Sequence, residues 1–146
     1  MDAKRIVVKV GSSTLTGDAG TSLNGSAVTK LVDVVANLKG QGKEVIIVTS
    51  AAIAAGMAPL GLTQRPTDLA TQQASASVGQ GLLIAKYSAE FTRHKIVASQ
   101  VLVTGDDLAR DLHKENVART LNRLLELGVV PIINENDSVG TEEIRL

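Results

Sequence analysis

Short β-branched runs alternate with longer stretches of helical spacing, and this alternation restricts the fold more than any other feature of the chain. Ile6 to Val10, Val45 to Val48, Ile96 to Val103 and Val129 to Ile133 are nearly continuous in Val, Ile and Leu. Such runs suit strands covered on both faces of a parallel sheet, and the longer stretches suit the helices that cross between them. The pattern predicts an α/β chain: an open, mostly parallel sheet with helices on both faces, in three layers. Val28, Leu31, Val32, Val35 and Leu38 mark a first crossover helix, with Asn24 as its N-cap and Gly40 as its stop. A long helix is expected from Thr67 to about His94. Its inner side is read as Ala70, Ala74, Ser77 and Gly81, small enough for another backbone to come close, and its tail carries Leu83, Ile84, Tyr87 and Phe91. Val117, Leu121, Leu124 and Leu125 make another stripe, ended by Gly128.

Composition removes several classes of function. The 146 residues fit one domain, and 44% hydrophobic content is enough for a sizeable core. Fifteen Lys and Arg balance fifteen Asp and Glu, so the electrostatic footprint of a nucleic-acid or anionic-membrane binder is absent. The single Tyr, single Phe and lack of Trp leave no aromatic platform for bases. Without cysteine there is no disulfide framework, thiolate metal site or cysteine nucleophile. His94 and His113 read as surface residues, since neither has a second ligand at metal spacing, and no metal site is expected. Asp106, Asp107, Arg110 and Asp111 read as a solvated helix start. The opening MDAKRIVVKV is too short an apolar run for a signal segment or a membrane span, so the expected location is cytoplasmic. No internal repeat or linker is present. Thr141 to Leu146 reads as a polar approach to an apolar segment that does not follow, so the chain is expected to stop in mid-fold.

In an open parallel sheet, ligands bind beyond the carboxyl ends of the strands, and three junctions there are unusual. In Val7-Val8-Lys9-Val10-Gly11-Ser12-Ser13-Thr14, a lysine within an apolar strand precedes backbone N–H groups and hydroxyls able to surround phosphate oxygens. Lys9 either neutralises a transferring phosphate or extends to solvent from an edge strand. The lysine precedes the glycine, so this is not the G-x-x-x-x-G-K-[ST] phosphate loop. At Val48-Thr49-Ser50-Ala51, Ser50 either caps the next helix or leaves N–H groups for an anion such as a carboxylate. No base accompanies it and G-x-S-x-G is absent, which leaves hydrolase chemistry without support. At Asn134-Glu135-Asn136-Asp137, the polar run is either an Asx-turn or a site for an α-amino group, with Asp137 as counter-charge and Asn134 as donor and acceptor. Gly79-Gln80-Gly81 is a poor dinucleotide fingerprint, because it lies within a helical stretch.

Four segments in order, VVKVGSSTLT at 7 to 16, VIIVTSAAIAAG at 45 to 56, ASVGQ at 76 to 80 and VVPIINENDSVGTEEI at 129 to 144, resemble the glutamate 5-kinase branch of the amino-acid kinase family. The resemblance spans the whole chain. It implies an amino-acid kinase-like fold, and ATP-dependent phosphorylation of the side-chain carboxylate of L-glutamate to glutamyl 5-phosphate in proline biosynthesis. It further implies that Lys9 contacts the ATP phosphates and serves catalysis, that Gly11 and Ser12 belong to the phosphate loop, and that Ser50, Ala51, Asn134 and Asp137 line the glutamate pocket. Mg²⁺ would be held mainly through the substrate phosphates and the family's nucleotide-binding half, proline would act as feedback inhibitor, and the chain would form a homo-oligomer. In-line phosphoryl transfer needs positioning and charge neutralisation more than a covalent nucleophile, in keeping with the absence of a serine, cysteine or histidine constellation.

Two departures stand out against this branch. Ala51 occupies the place of a glycine, and its methyl group removes easy access to positive φ and is expected to obstruct a ligand packed against the backbone. The branch also continues into a GDNDxLSA segment, a nucleotide-binding half and often a PUA domain. Residues 1–146 are therefore read as the N-terminal, amino-acid-binding part of a kinase domain, expected to be nearly inactive alone. The alternative is a non-catalytic module that binds glutamate or proline.

Overall fold

The computed structural model, which describes residues 3–17, 20–101 and 111–134, orders its elements as the alternation predicts. They are β1 (Arg5–Val10), α1 (Ser12–Leu15), α2 (Gly25–Gly40), β2 (Glu44–Thr49), α3 (Ala52–Met57), α4 (Leu69–Arg93), β3 (Ala98–Val101), α5 (Asp111–Glu126) and β4 (Val130–Asn134). The four strands are parallel and stand in the order β1-β2-β4-β3. From β1 to β2 and on to β3 the chain moves one way across the sheet, and from β3 to β4 it returns. Parallel crossovers are right-handed, so α2 and α4 cover one face and α5 the other. The core agrees: Val28, Val32 and Val35 of α2 and Leu83, Tyr87 and Phe91 of α4 share one cluster with Val10, Val45, Ile47, Val130 and Ile132. Among the described residues no helix is long and apolar enough to cross a membrane.

Local chemistry sets the helix ends. Asn24 accepts from Ala27 N (3.2 Å) at the start of α2. Asp68 Oδ2 accepts from Thr71 N (2.9 Å) and Thr71 Oγ1 (2.7 Å) at the start of α4, and these bonds hold the Asp68 carboxyl below its usual range. Gly40 is the last helical residue of α2 instead of its stop. Gln41 caps the helix, and Gly42, at φ 83°, takes the left-handed turn. At the end of α4, Lys95 adopts φ 59° and Ile96 N donates to Phe91 O (3.0 Å), a closing turn more often built on glycine. That turn consumes Ile96 and Val97, so β3 begins at Ala98 and not at Ile96 as the apolar run suggests.

Two expectations about faces are corrected. β1 is not covered on both sides: it forms an edge of the described sheet, Val7 is 59% exposed, and Arg5 and Lys9 share that outward face. Ala70, Ala74, Ser77 and Gly81 are exposed, and the close approach is made by Ser75, Ala76 and Gly79 on the opposite face of α4. There α4 meets α3 backbone to backbone. A Cβ on Gly79 would overlap Ala52 O and lie 2.6 Å from Gly56 N, and one on Gly56 would overlap Ser75 O. Ser75 Oγ donates to Ile53 O (2.7 Å) at the same crossing.

A polar seam joins α2 to the end of α4. His94 Nε2 lies 2.9 Å from Asp33 Oδ1, and Arg93 NH1 is 2.9 Å from Glu90 Oε1. Glu90 is buried, and its carboxyl is held below the usual range by the Thr29 hydroxyl, with Lys86 and Arg93 adding to the effect against desolvation. The Thr29 hydroxyl also donates to Gly25 O (2.9 Å).

Gly79→Ala should lower the free energy of unfolding by about 3 kcal/mol through overpacking. Gly81→Ala, on the same helix and facing open space, should raise it by about 0.5–1 kcal/mol. Equal urea midpoints for the two variants would contradict the crossing. Because Glu90 titrates lower in the folded than in the unfolded chain, the unfolded chain takes up the proton first, and stability falls as pH drops through the ordinary glutamate value of 4.5 and below. Glu90→Gln should flatten that acid limb of a thermal-midpoint profile, and an unchanged slope would remove the seam from the account of acid stability.

Candidate functional site

The carboxyl ends of β1, β2 and β4 stand side by side, because Val10 is in register with Thr49 and Thr49 with Asn134. Each strand then runs directly into one of the polar junctions. After β1, Gly11 (φ −79°, ψ 165°) leads into α1, and no side chain caps that helix. A Cβ on Gly11 would meet nothing within 4 Å, so neither backbone conformation nor packing demands a glycine there. After β2, Ser50 N reaches Val10 O at 3.4 Å and so ties the first two junctions together. Gly17 N donates to Ser22 O (2.9 Å), and Ala58 N, just beyond α3, donates to Thr21 O (2.8 Å).

The predicted residues fall as follows. Lys9 is exposed on the outward side of the edge strand β1, between the inward Val8 and Val10, as the edge-strand reading has it. Gly11 and Ser12 form the β1–α1 junction. Ser50 is not the cap of α3: Ala51 holds that position, and no side chain caps the helix. Ala51 is fully buried at φ −89° and ψ 1°, an ordinary conformation for an L-residue, and its methyl group belongs to the main core cluster. The expected need for positive φ therefore does not arise. Asn134 is half-buried at the end of β4, with an Oδ1 that is enclosed and has no hydrogen-bond partner among the described residues. Asp137, with Glu135 and Asn136, lies outside the described residues, as do Asp106, Asp107 and Arg110.

Three residues that the sequence reading did not single out support the junctions. Thr49 is buried, and its Oγ1 accepts from Ala51 N at 3.4 Å. Ser75 anchors α3, and Gln80, further along α4, has a fully enclosed amide. Gln80 closes the ASVGQ segment, which was the available signal. Burial pushes the Tyr87 phenol upward, deep in the same helix face. A cavity of about 410 Å³ lies elsewhere, on the flank of the sheet between β3 and α5, lined by Gln100, Asn116 and Leu124 among others. It includes Val101 at the end of β3 and none of the residues at the ends of β1, β2 and β4. Among the described residues no group of three or more acidic or imidazole side chains converges as a metal site would.

Residues 4–146 match the amino acid kinase family, and the chain belongs to that family. Within it, the chain is similar to glutamate 5-kinases. It is 59% identical to that of Thermobifida fusca (strain YX) over 143 residues, which is 98% of this chain and 37% of the relative. It is 58% identical to that of Streptomyces coelicolor over 144 residues, covering 99% of this chain and 38% of the relative. The glutamate 5-kinase of Clavibacter michiganensis subsp. michiganensis is 52% identical over 98% of this chain and 53% of its own length. The chain thus spans between 37% and 53% of these relatives. Among solved structures, the T. acidophilum isopentenyl phosphate kinase product complex has the same fold, with a TM-score of 0.59 at 16% identity over 89% of this chain and 54% of that one.

Ala51→Gly should destabilise the chain by about 1–2 kcal/mol, from the loss of a buried methyl group and the added freedom of glycine in the unfolded state. Chemical denaturation measures it, and a gain in stability would show that the position strains an L-residue after all.

Proposed function

We propose that this chain supplies the amino-acid pocket and the phosphate-facing lysine of a glutamate 5-kinase, which transfers the γ-phosphoryl group of ATP to the side-chain carboxylate of L-glutamate. The observation that carries the reading is 59% identity to the Thermobifida fusca glutamate 5-kinase across 98% of this chain. The geometry of the junctions supports it. Gly11 has open space above it and uncapped N–H groups after it, which suits the close approach of phosphate oxygens. Lys9, on the outward face of the same strand, is the cation that would neutralise their charge, and Ser12 adds a hydroxyl.

In the transfer, a glutamate carboxylate oxygen attacks the γ-phosphorus, the bond from phosphorus to the bridging oxygen breaks, and ADP leaves with that electron pair. An ionised carboxylate needs no general base, so placement and charge neutralisation are the chain's contribution. Ser50 and the Ala51 backbone would hold the substrate at the β2–α3 junction. Asn134 and Asp137 would bind its α-amino group. Mg²⁺ would neutralise phosphate charge when bound, and the described residues offer it no cluster of carboxylates. A cytoplasmic location, assembly into homo-oligomers and inhibition by proline belong to the same reading.

Calorimetric titration of the chain tests the pocket. L-Glutamate should bind, and Ser50→Ala and Asp137→Ala should each weaken binding about tenfold or more through loss of a hydrogen bond to a charged group. A folded chain that takes up no L-glutamate would sink the reading.

A further inference from the structure

Gln80 is polar at a place lined by apolar groups. On α4 it stands between Ala76, which packs with Ala52 and Ile53, and Leu83, which shares a cluster with Val10, Leu15 and Ala51. Its neighbour Gly79 lies against Ala52 O and Gly56 N. Gln80 thus belongs to the stretch of α4, from Ala76 to Leu83, that packs near the start of α3, which the Ser50–Ala51 peptide precedes. Its Nε2 and Oε1 are both buried, and neither has a hydrogen-bond partner among the described residues. A buried amide left unpaired is destabilising, and native structures keep few of them without a use.

The peptide that leads into α3 is loosely held. Ser50 N lies 3.4 Å from Val10 O and Ala51 N lies 3.4 Å from Thr49 Oγ1, whereas Ala55 N, one turn on, reaches Ala51 O at 2.9 Å. Both N–H groups are at the long limit of hydrogen bonding and can be drawn to a better acceptor. On the far side of Thr49, Asn134 Oδ1 is a second enclosed and unpartnered amide atom. Two unpartnered amides thus belong to α4 and β4, the elements that pack on α3 and pair with β2.

We infer that Gln80 is a positioning residue for the ligand at the β2–α3 junction. When a carboxylate draws in the Ser50 and Ala51 N–H groups, the peptide turns, and Gln80 Nε2 donates to the Ser50 carbonyl and fixes it. In this role Gln80 acts on the peptide and not on the substrate. The inference rests on the reading that this junction holds glutamate.

The test compares wild type with Gln80→Leu and the longer Gln80→Met, by thermal unfolding without ligand and by titration with L-glutamate. Removal of an unpaired amide should raise the midpoint of the ligand-free chain by about 3 °C. Removal of the clamp should weaken L-glutamate binding about tenfold in both variants. A residue with only a structural role would lower the midpoint and leave affinity alone, and that result in both variants overturns the inference. Unchanged affinity with a raised midpoint also overturns it, because the amide is then idle. Wild-type chain that binds no L-glutamate removes the proposed function itself and this role with it. Binding by wild type with no loss in the variants removes only the role of Gln80.

Discussion

Where α3 crosses α4, Gly56 meets the backbone of Ser75 and Gly79 with no side chain between them. A six-residue helix has little stability of its own, and this contact, with the Ser75 hydroxyl on Ile53 O, gives α3 a fixed seat. Two things follow from one crossing. Ala51, the N-cap of α3, is held at the end of β2, so the Ser50–Ala51 peptide is placed by packing more than by its own hydrogen bonds. The same contact sets the rotation of α4 and directs Leu83, Tyr87 and Phe91 into the cluster formed with α2 and the sheet.

The chemistry of the strand ends depends on that frame. Lys9 projects from an edge strand while Gly11 and Ser12 turn over its end, and Ser50 and Asn134 stand on the next two strands. Charge and hydrogen-bond donors are thus spread along one rim instead of gathered into an acid–base pair. Such a rim suits a reaction whose nucleophile is already ionised and whose barrier falls by placement and neutralisation. Exposed pairs such as Arg5 with Glu44 (3.1 Å) lie at the opposite end of β1 and contribute little to stability.

Features governed by neighbours in the chain were legible. Asn24 reads as a cap because its side chain bonds three residues ahead, and the tail of α4 reads as buried because Leu83, Tyr87 and Phe91 repeat at helical spacing. The small-residue face of α4 was placed on the opposite side of the helix. Ala70, Ala74, Ser77 and Gly81 match Ser75, Ala76 and Gly79 in size, and nothing within the helix tells the two faces apart. Only α3, packed on one of them, does. In the candidate site, Gly11, Ser12, Ser50, Ala51 and Asn134 stand at strand ends as their positions in the sequence foretell. The capping role given to Ser50 fails because Ala51 takes it. Thr49 and Gln80 went unread as site residues, because burial and enclosure are properties of the surroundings and not of the residue.

The sequence by itself determined the α/β class, the order of strands and helices and the polar residues at each strand end, since hydrophobic period, caps and turn residues act over a few positions. Tertiary structure alone decided that β4 inserts between β2 and β3, which brings Asn134 beside Thr49. It also decided that β1 lies at an edge, which leaves Val7 and Lys9 outward. Pairing between distant strands is a competition among alternatives of similar local fit, and it is settled by which arrangement buries the helices' apolar faces together.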